Sequence, residues 1–396
     1  NFIKWMLLAI LTGLVVGGAS SAFAACISAA TEYRNSHLWV FLCLPLAGIV
    51  IVFMYERLGR QDGGTNQVLS TIKSKDNVPF ISAPLIFIST LLTHLTGGSA
   101  GREGASIQFG GSIGSWLAKL VHLDETDHHV MIMCGMRAAF AAVFGTPMAA
   151  AVFAMEVVSV GAMYYAALLP CVIASIIAAE FATGVGLNPE TFPVARIPQL
   201  SLESGLKMAV IAAGCGLLSI LFCVALKAVS GIYGKYLKNP YLRVCVAGCL
   251  VIGITMLLGT GNELIAKAVE QGKARPLDFL WKMILTAITM RAGYRGGEIV
   301  PAFSVGATFG CVAGGLLGFS PEVAAAASMV ALFCGVTNCP IASMLISFEL
   351  FGFSGAAYYL IAISISYALS GYYSLYKDQT IVYSKYKARY INKKTH

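Results

Sequence analysis

The sequence is short of charge. Lys, Arg, Asp and Glu make up only 12% of its 396 residues, against 57% hydrophobic residues, whereas a soluble domain carries roughly a quarter charged residues. Together with a mean hydropathy of +0.76, that shortage excludes an ordinary water-soluble globule and places the chain in lipid. Enzyme signatures are missing too. Neither a Gly-x-x-x-x-Gly-Lys-Ser/Thr phosphate loop nor a His-Glu-x-x-His zinc motif occurs, so those two chemistries have no local framework. The 11 cysteines, among them Cys26, Cys43, Cys134, Cys171, Cys215 and Cys334, lie mostly inside apolar runs without paired metal-ligand spacing. They read as small packing residues, and no metal or cofactor is expected.

What is present is apolar length. Trp5 to Ala25, Leu38 to Met54, Leu206 to Val229 and Tyr358 to Ser374 are long enough, some with tilt, to cross roughly 30 Å of hydrocarbon. Phe80 to Leu95, Ala167 to Ala182 and Val244 to Leu258 come close. Other apolar runs are shorter and broken by glycine, as helices are where their backbone is buried in protein or lines a cavity. The opening Lys4 and the run ending Ala22-Phe23-Ala24 have the shape of a secretory leader, but we expect a first spanning helix here. The net charge of +8 is concentrated in the tail from Lys377 to Lys394, with Lys385, Lys387, Arg389 and Lys393. Such clusters mark the cytoplasmic side, so a multi-pass protein of the cell membrane with its C-terminus in the cytoplasm is expected, without a nucleic-acid partner and without a soluble C-terminal module.

The chain repeats itself. Phe144-Gly145-Thr146-Pro147 is followed by Glu156, and Phe333, Gly335 and Pro340 are followed by Glu349, each glutamate falling nine positions after its proline. Both precede a glycine and a small-aromatic stretch, Gly161 to Tyr165 and Gly355 to Tyr359. A second pair matches Gly101-Arg102-Glu103-Gly104 with Gly296-Gly297-Glu298-Ile299, each followed by a glycine-spaced apolar helix. Two halves follow, residues 1–187 and 204–396, joined by a polar connector at 188–203 that carries Pro189, Pro193 and Pro198. Paired halves with broken helices are a transporter's construction.

Charge at membrane depth is expensive and usually lines a pathway. The candidates are Arg102, Glu103, Glu156, Glu298 and Glu349. Glu103 is the sharpest, because Gly97, Gly98, Gly101 and Gly104 surround it and a helix begins just after it. A helix start at depth directs unpaired N–H groups and a positive dipole end at an anion. A deprotonated Glu103 can take that anion's place, and a protonated one can leave it, so protons and anions compete. The alternative is a structural turn in which Glu103 simply pairs with Arg102.

These residues bear a resemblance to the CLC family of chloride channels and anion/proton antiporters. Gly101 to Gly104 resembles the family's signature loop, whose glutamate is the gate. Pro147 to Glu156 resembles the following helix. Gly296 to Pro301 resembles the second-half loop that offers backbone amides to the central anion, and Ile381-Val382-Tyr383-Ser384 resembles the short helix whose tyrosine hydroxyl binds it. The resemblance implies an all-α integral membrane fold of two inverted-topology repeats, with many tilted and broken helices, and a homodimer with one pathway per subunit. Departures point to the substrate. The first anion loop reads Gly63-Gly64-Thr65-Asn66-Gln67-Val68 instead of a Gly-Ser-Gly-Ile-Pro type, Ala105 replaces a proline, Val157 stands where chloride/proton relatives carry a relay glutamate, and Glu298 replaces an apolar residue. This combination is similar to the fluoride-exporting branch, except that Val300 stands where a threonine is frequent.

Fluoride is small and strongly hydrated, so its pathway must replace water with firm donors. Thr65, Asn66 and Tyr383, with the backbone at Gly104, Ile299 and Val300, are the expected anion contacts. Glu103 is the expected gate and proton carrier and Glu298 a secondary coupling group. The expectation is a fluoride/proton antiporter; a chloride/proton antiporter or a passive chloride channel is the nearer alternative, and an intramembrane acid–base enzyme the more distant one. Glu156 and Glu349 are expected to be structural. Arg137, Arg291 and Arg295 are expected to snorkel, His94 to be a capped structural histidine, and Phe109, Phe303 and Phe309 to pack in the core.

Overall fold

A computed structural model describes residues 2–59, 64–72, 78–194, 196–258, 263–387 and 389–395. Gly63 of the first anion loop lies outside them. Among the described residues the chain forms eight helices up to Gly184 and eight more from Leu202. The first eight are α1 (Phe2–Ser36), α2 (Leu44–Leu58), α3 (Thr65–Thr71), α4 (Ser82–Leu95), α5 (Glu103–Leu120), α6 (Glu125–Phe144), α7 (Pro147–Glu156) and α8 (Leu168–Gly184). The second eight are α9 (Leu202–Tyr236), α10 (Pro240–Leu258), α11 (Leu264–Gln271), α12 (Asp278–Ala292), α13 (Ile299–Leu316), α14 (Pro321–Thr337), α15 (Pro340–Phe351) and α16 (Ala356–Leu369). The two sets share landmarks. Each opens on a 35-residue helix and reaches a helix of 18 residues at its fifth place. Five segments, including α1, α9 and α13, are long and apolar enough to cross a membrane; the shorter ones are the broken helices that the glycines foretell.

Local sequence sets these boundaries. Asp124 caps α6 by accepting from the backbone N–H of Asp127 at 2.8 Å, and Ser201 and Ser204 form a capping box at the start of α9, each satisfying otherwise orphaned donors. Gly145 and Asn338 end α6 and α14 in the left-handed conformation, which favours these residue types. Proline opens α7 and α15, where its missing N–H costs nothing. Within each half the fifth and sixth helices lie face to face. A Cβ at Gly110 would collide with the Gly135 backbone, so only glycine permits that approach.

The largest apolar core joins both halves, through Phe140, Phe144 and Phe153 from the first and Phe303 and Phe333 from the second. A second core gathers α1, α5, α6 and α8, and a third, around Tyr294, gathers α2, α10 and α12. One departure from an all-α chain is small. Ser159–Val160 (β1) pairs in parallel with Thr380–Tyr383 (β2), which pairs antiparallel with Tyr390–Lys394 (β3). Register matches Val160 to Ile381 and Ile381 to Lys393. The expected short helix at Ile381 to Ser384 is therefore a strand, in keeping with its β-branched run.

Candidate functional site

The two glutamate loops meet. Gly101 donates its N–H to Gly297 O at 2.7 Å and Gly297 donates to Gly101 O at 2.5 Å, an isolated antiparallel bridge between the repeats. A Cβ at Gly104 would lie 2.8 Å from Gly297 Cα, so the loops touch only because both are glycine. From this bridge α5 and α13 depart. The first N–H bonded back into α5 is that of Ser106, to Arg102 O, and the corresponding donor in α13 is Ala302, to Glu298 O. The N–H groups of Gly104, Ala105, Ile299 and Val300 precede those bonds and have no partner within their helices.

Glu103 lies on this junction, 1% exposed. Its Oε2 accepts from the Arg102 backbone N–H at 3.0 Å and its Oε1 from Arg102 Nε at 3.4 Å. The carboxylate is folded back on the start of its own helix, where an anion would bind. Arg102 also donates to Ser28 Oγ at 3.3 Å and to Glu190 Oε1 at 2.5 Å. Both carboxylates and their arginine line a cavity of about 1220 Å³.

Thr65 reaches this junction from the start of α3, and Asn66, next to it, faces the C-terminal segment. Thr65 Oγ1 donates to Gly104 O at 3.4 Å, and Asn66 Oδ1 accepts the backbone N–H of Lys377 at 3.1 Å. Tyr383 does not reach it. It is 52% exposed and its ring packs against Tyr390, because its place at the end of β2 turns it away from the junction. The buried tyrosine of this segment is Tyr376, 4% exposed and next in sequence to the Lys377 that holds Asn66. Its hydroxyl makes no hydrogen bond among the described residues. The sequence reading missed it because two tyrosines stand seven positions apart and the tail's strand was read as a helix.

Glu298 does not enter the junction as Glu103 does. It accepts from Arg291 Nη2 at 2.7 Å. Arg291 is thus an ion-pair partner and not a snorkelling residue. Arg295 lies over the Tyr55 ring at 3.9 Å, and Arg137 is wholly buried, donating to Ala167 O at 3.4 Å; neither snorkels. His94 is held through Nδ1 to Thr90 O at 2.9 Å. Phe109 packs on Phe23 and Phe309 on Phe279. Phe303 packs in the central ring cluster with Phe144 and Phe333 at 5.6 and 5.1 Å between centroids, one turn beyond Ile299.

Glu156 and Glu349 bond to backbone across the two halves. Glu156 accepts from the N–H groups of Ile341 and Ala342, Glu349 from those of Met148 and Ala149. Val157 is buried, and its carbonyl accepts from Gln379 Nε2 at 3.0 Å. Gly110-Gly111-Ser112-Ile113-Gly114 has the Gly-x-Ser-x-Gly form of a hydrolase turn, but it is mid-helix in α5 and Ser112 Oγ donates to Pro79 O at 2.9 Å. Among the described residues no cluster of metal-ligating side chains occurs.

Residues 47–371 match the family described as voltage gated chloride channel. The chain is 34% identical over 399 residues to a chloride/fluoride channel protein of Pseudomonas syringae pv. tomato, covering 97% of this chain and 88% of that one. It is 24% identical over 383 residues to an H(+)/Cl(-) exchange transporter of Vibrio cholerae, covering 87% and 81%. Among solved structures it superposes on a CLC-type fluoride/proton antiporter with a TM-score of 0.91 and 31% identity, covering 96% and 98% of the two chains. A slow cyanobacterial Cl-/H+ antiporter superposes with a TM-score of 0.83 at 18% identity, covering 93% and 94%, a likeness of fold.

Proposed function

The chain belongs to the voltage gated chloride channel family, and from that premise we propose that it is a fluoride/proton antiporter gated by Glu103. The observation that carries this reading is the Glu103 carboxylate folded onto the N-terminus of α5 in the cavity wall. Ionised, it competes with an anion for the same N–H groups. Protonated, it loses its attraction to Arg102 and to the helix end, and the anion takes its place. Each exchange then moves a proton one way and an anion the other.

Three features favour fluoride over chloride. Thr65, Asn66 and Tyr376 gather oxygen and nitrogen groups near the loops, and such groups suit an ion that gives up a tight water shell. Glu298 adds a second carboxylate at the start of α13, paired with Arg291. Val157 leaves the relay position of chloride/proton relatives without a titratable group. The protein of known structure at 31% identity is a fluoride/proton antiporter, which supports the same choice. The reading includes a homodimer in the cell membrane with the C-terminal strands in the cytoplasm, and transport without chemical change of the ion.

Purified protein in liposomes tests it. Fluoride efflux should exceed chloride efflux and carry protons with it, and Glu103→Gln should abolish the proton movement. Equal rates for the two halides would remove the fluoride assignment. Proton movement unchanged in the glutamine variant would remove the gate, and a chloride flux silent to pH would favour a channel.

A further inference from the structure

Two cations face the cavity outside Glu103 without a carboxylate to balance them. Lys282, on α12, lines the cavity, and among the described residues its amine has neither an ion pair nor a hydrogen bond. Arg34, in the last turn of α1, is 4% exposed. It donates through Nη1 to His94 O at 2.8 Å and through Nη2 to Asn35 Oδ1 at 3.3 Å, and its Nε has no partner. The two are close enough for their charges to act on each other, and both act on His94.

The α1 C-terminus accounts for part of Arg34, since a cation is favourable there. Nothing accounts for Lys282. The carboxylates of the cavity are engaged elsewhere: Glu263 with Lys267 at 2.9 Å, Asp278 with the Arg275 backbone N–H at 3.0 Å, and Glu190 and Glu103 with Arg102. Glu32 lies exposed at the rim. Two like charges held together on a sheltered wall repel and are poorly hydrated, and an anion relieves both costs.

We propose that Lys282 and Arg34 form an anion station in the cavity outside the Glu103 gate, at which a monovalent halide rests on its way between the gate and water. The proposal deepens the transport reading and rests on it for the identity of the ion. His94 Nδ1 carries its proton toward Thr90 O, which leaves the other ring nitrogen an acceptor, so the donors to the ion are the Lys282 amine and the Arg34 guanidinium. The station concentrates the anion where Glu103 must exchange for it, and so acts on affinity from that side and not on the exchange step.

The test uses the full chain in liposomes and in crystals. Lys282→Met should raise the fluoride concentration for half-maximal exchange from the cavity side by about tenfold and flatten its dependence on ionic strength. The maximal rate should hold, and Lys282→Arg should restore the affinity. Crystals soaked in bromide should show an anomalous peak within hydrogen-bond reach of Lys282 Nζ, lost in Lys282→Met. An unchanged half-maximal concentration in an active Lys282→Met variant overturns the station. So does a soaked wild-type crystal without the peak, or a loss of rate that arginine does not restore. A bromide peak in a protein that moves no halide would overturn the transport reading while leaving the station in place.

Discussion

Glu156 and Glu349 each close the other repeat's helix: Glu156, at the end of α7, accepts from the first N–H groups of α15, and Glu349, near the end of α15, accepts from the first N–H groups of α7. The two helices therefore run antiparallel, locked at both ends by charge-assisted bonds. Glu156→Ala or Glu349→Ala strands two backbone donors and should cost about 2–3 kcal/mol of stability. Thermal unfolding in detergent reads this loss. Selectivity between fluoride and chloride should not change, and a change in it would give these residues a role in the pathway.

Tyr376 and Tyr383 separate cleanly by substitution. Removing the Tyr376 hydroxyl with Tyr376→Phe should weaken fluoride binding about tenfold or more, as losing one donor to a charged group does. Tyr383→Phe should leave it unchanged, since that ring stands exposed against Tyr390. Isothermal titration of fluoride into the two variants decides, and equal effects would reject the assignment to Tyr376.

Glu190 shares Arg102 with Glu103, the proposed gate. In Glu190→Gln the guanidinium serves Glu103 alone and a neighbouring negative charge is gone. Both changes favour ionised Glu103, so transport that needs the protonated gate should require a lower pH. The midpoint of the rate against pH on the cavity side should fall by up to about one pH unit. A lower rate with an unmoved midpoint would make Glu190 a purely structural anchor of the connector.

Lys385 anchors the C-terminal strands. Its amine donates to Asn338 Oδ1 at 2.5 Å, Tyr367 O at 2.9 Å and Ser370 Oγ at 2.9 Å, and lies 4.2 Å from the Tyr367 ring centroid. It thereby satisfies acceptors at the ends of α14 and α16. Lys385→Met should lose about 2–3 kcal/mol and expose the 377–395 segment to trypsin while α16 stays protected. A tail as resistant as the wild type's would show that the β1, β2, β3 pairing holds it without the lysine.

The residues that carry periodicity or chemistry by themselves were legible in the sequence. Low charge and apolar length required a membrane. The repeated spacing of Pro147 to Glu156 and Pro340 to Glu349 pointed to two related halves, and the glutamates at its ends bond across to each other's helix starts. Glycines around Glu103 required a close approach at a helix start, because only a residue without Cβ allows it. Tertiary structure decided which distant groups meet. Glu298 turns to Arg291, Tyr376 is buried where Tyr383 is exposed, Arg137 is buried, and Lys282 and Arg34 face one cavity from α12 and α1. None of these follows from local spacing, because each depends on how helices separated by tens to hundreds of residues pack, and a pairwise bond of a few kcal/mol leaves no periodic mark on the chain. Glu103 and its neighbour Arg102 were written in the sequence; Glu190, which shares that arginine, was placed there by the fold.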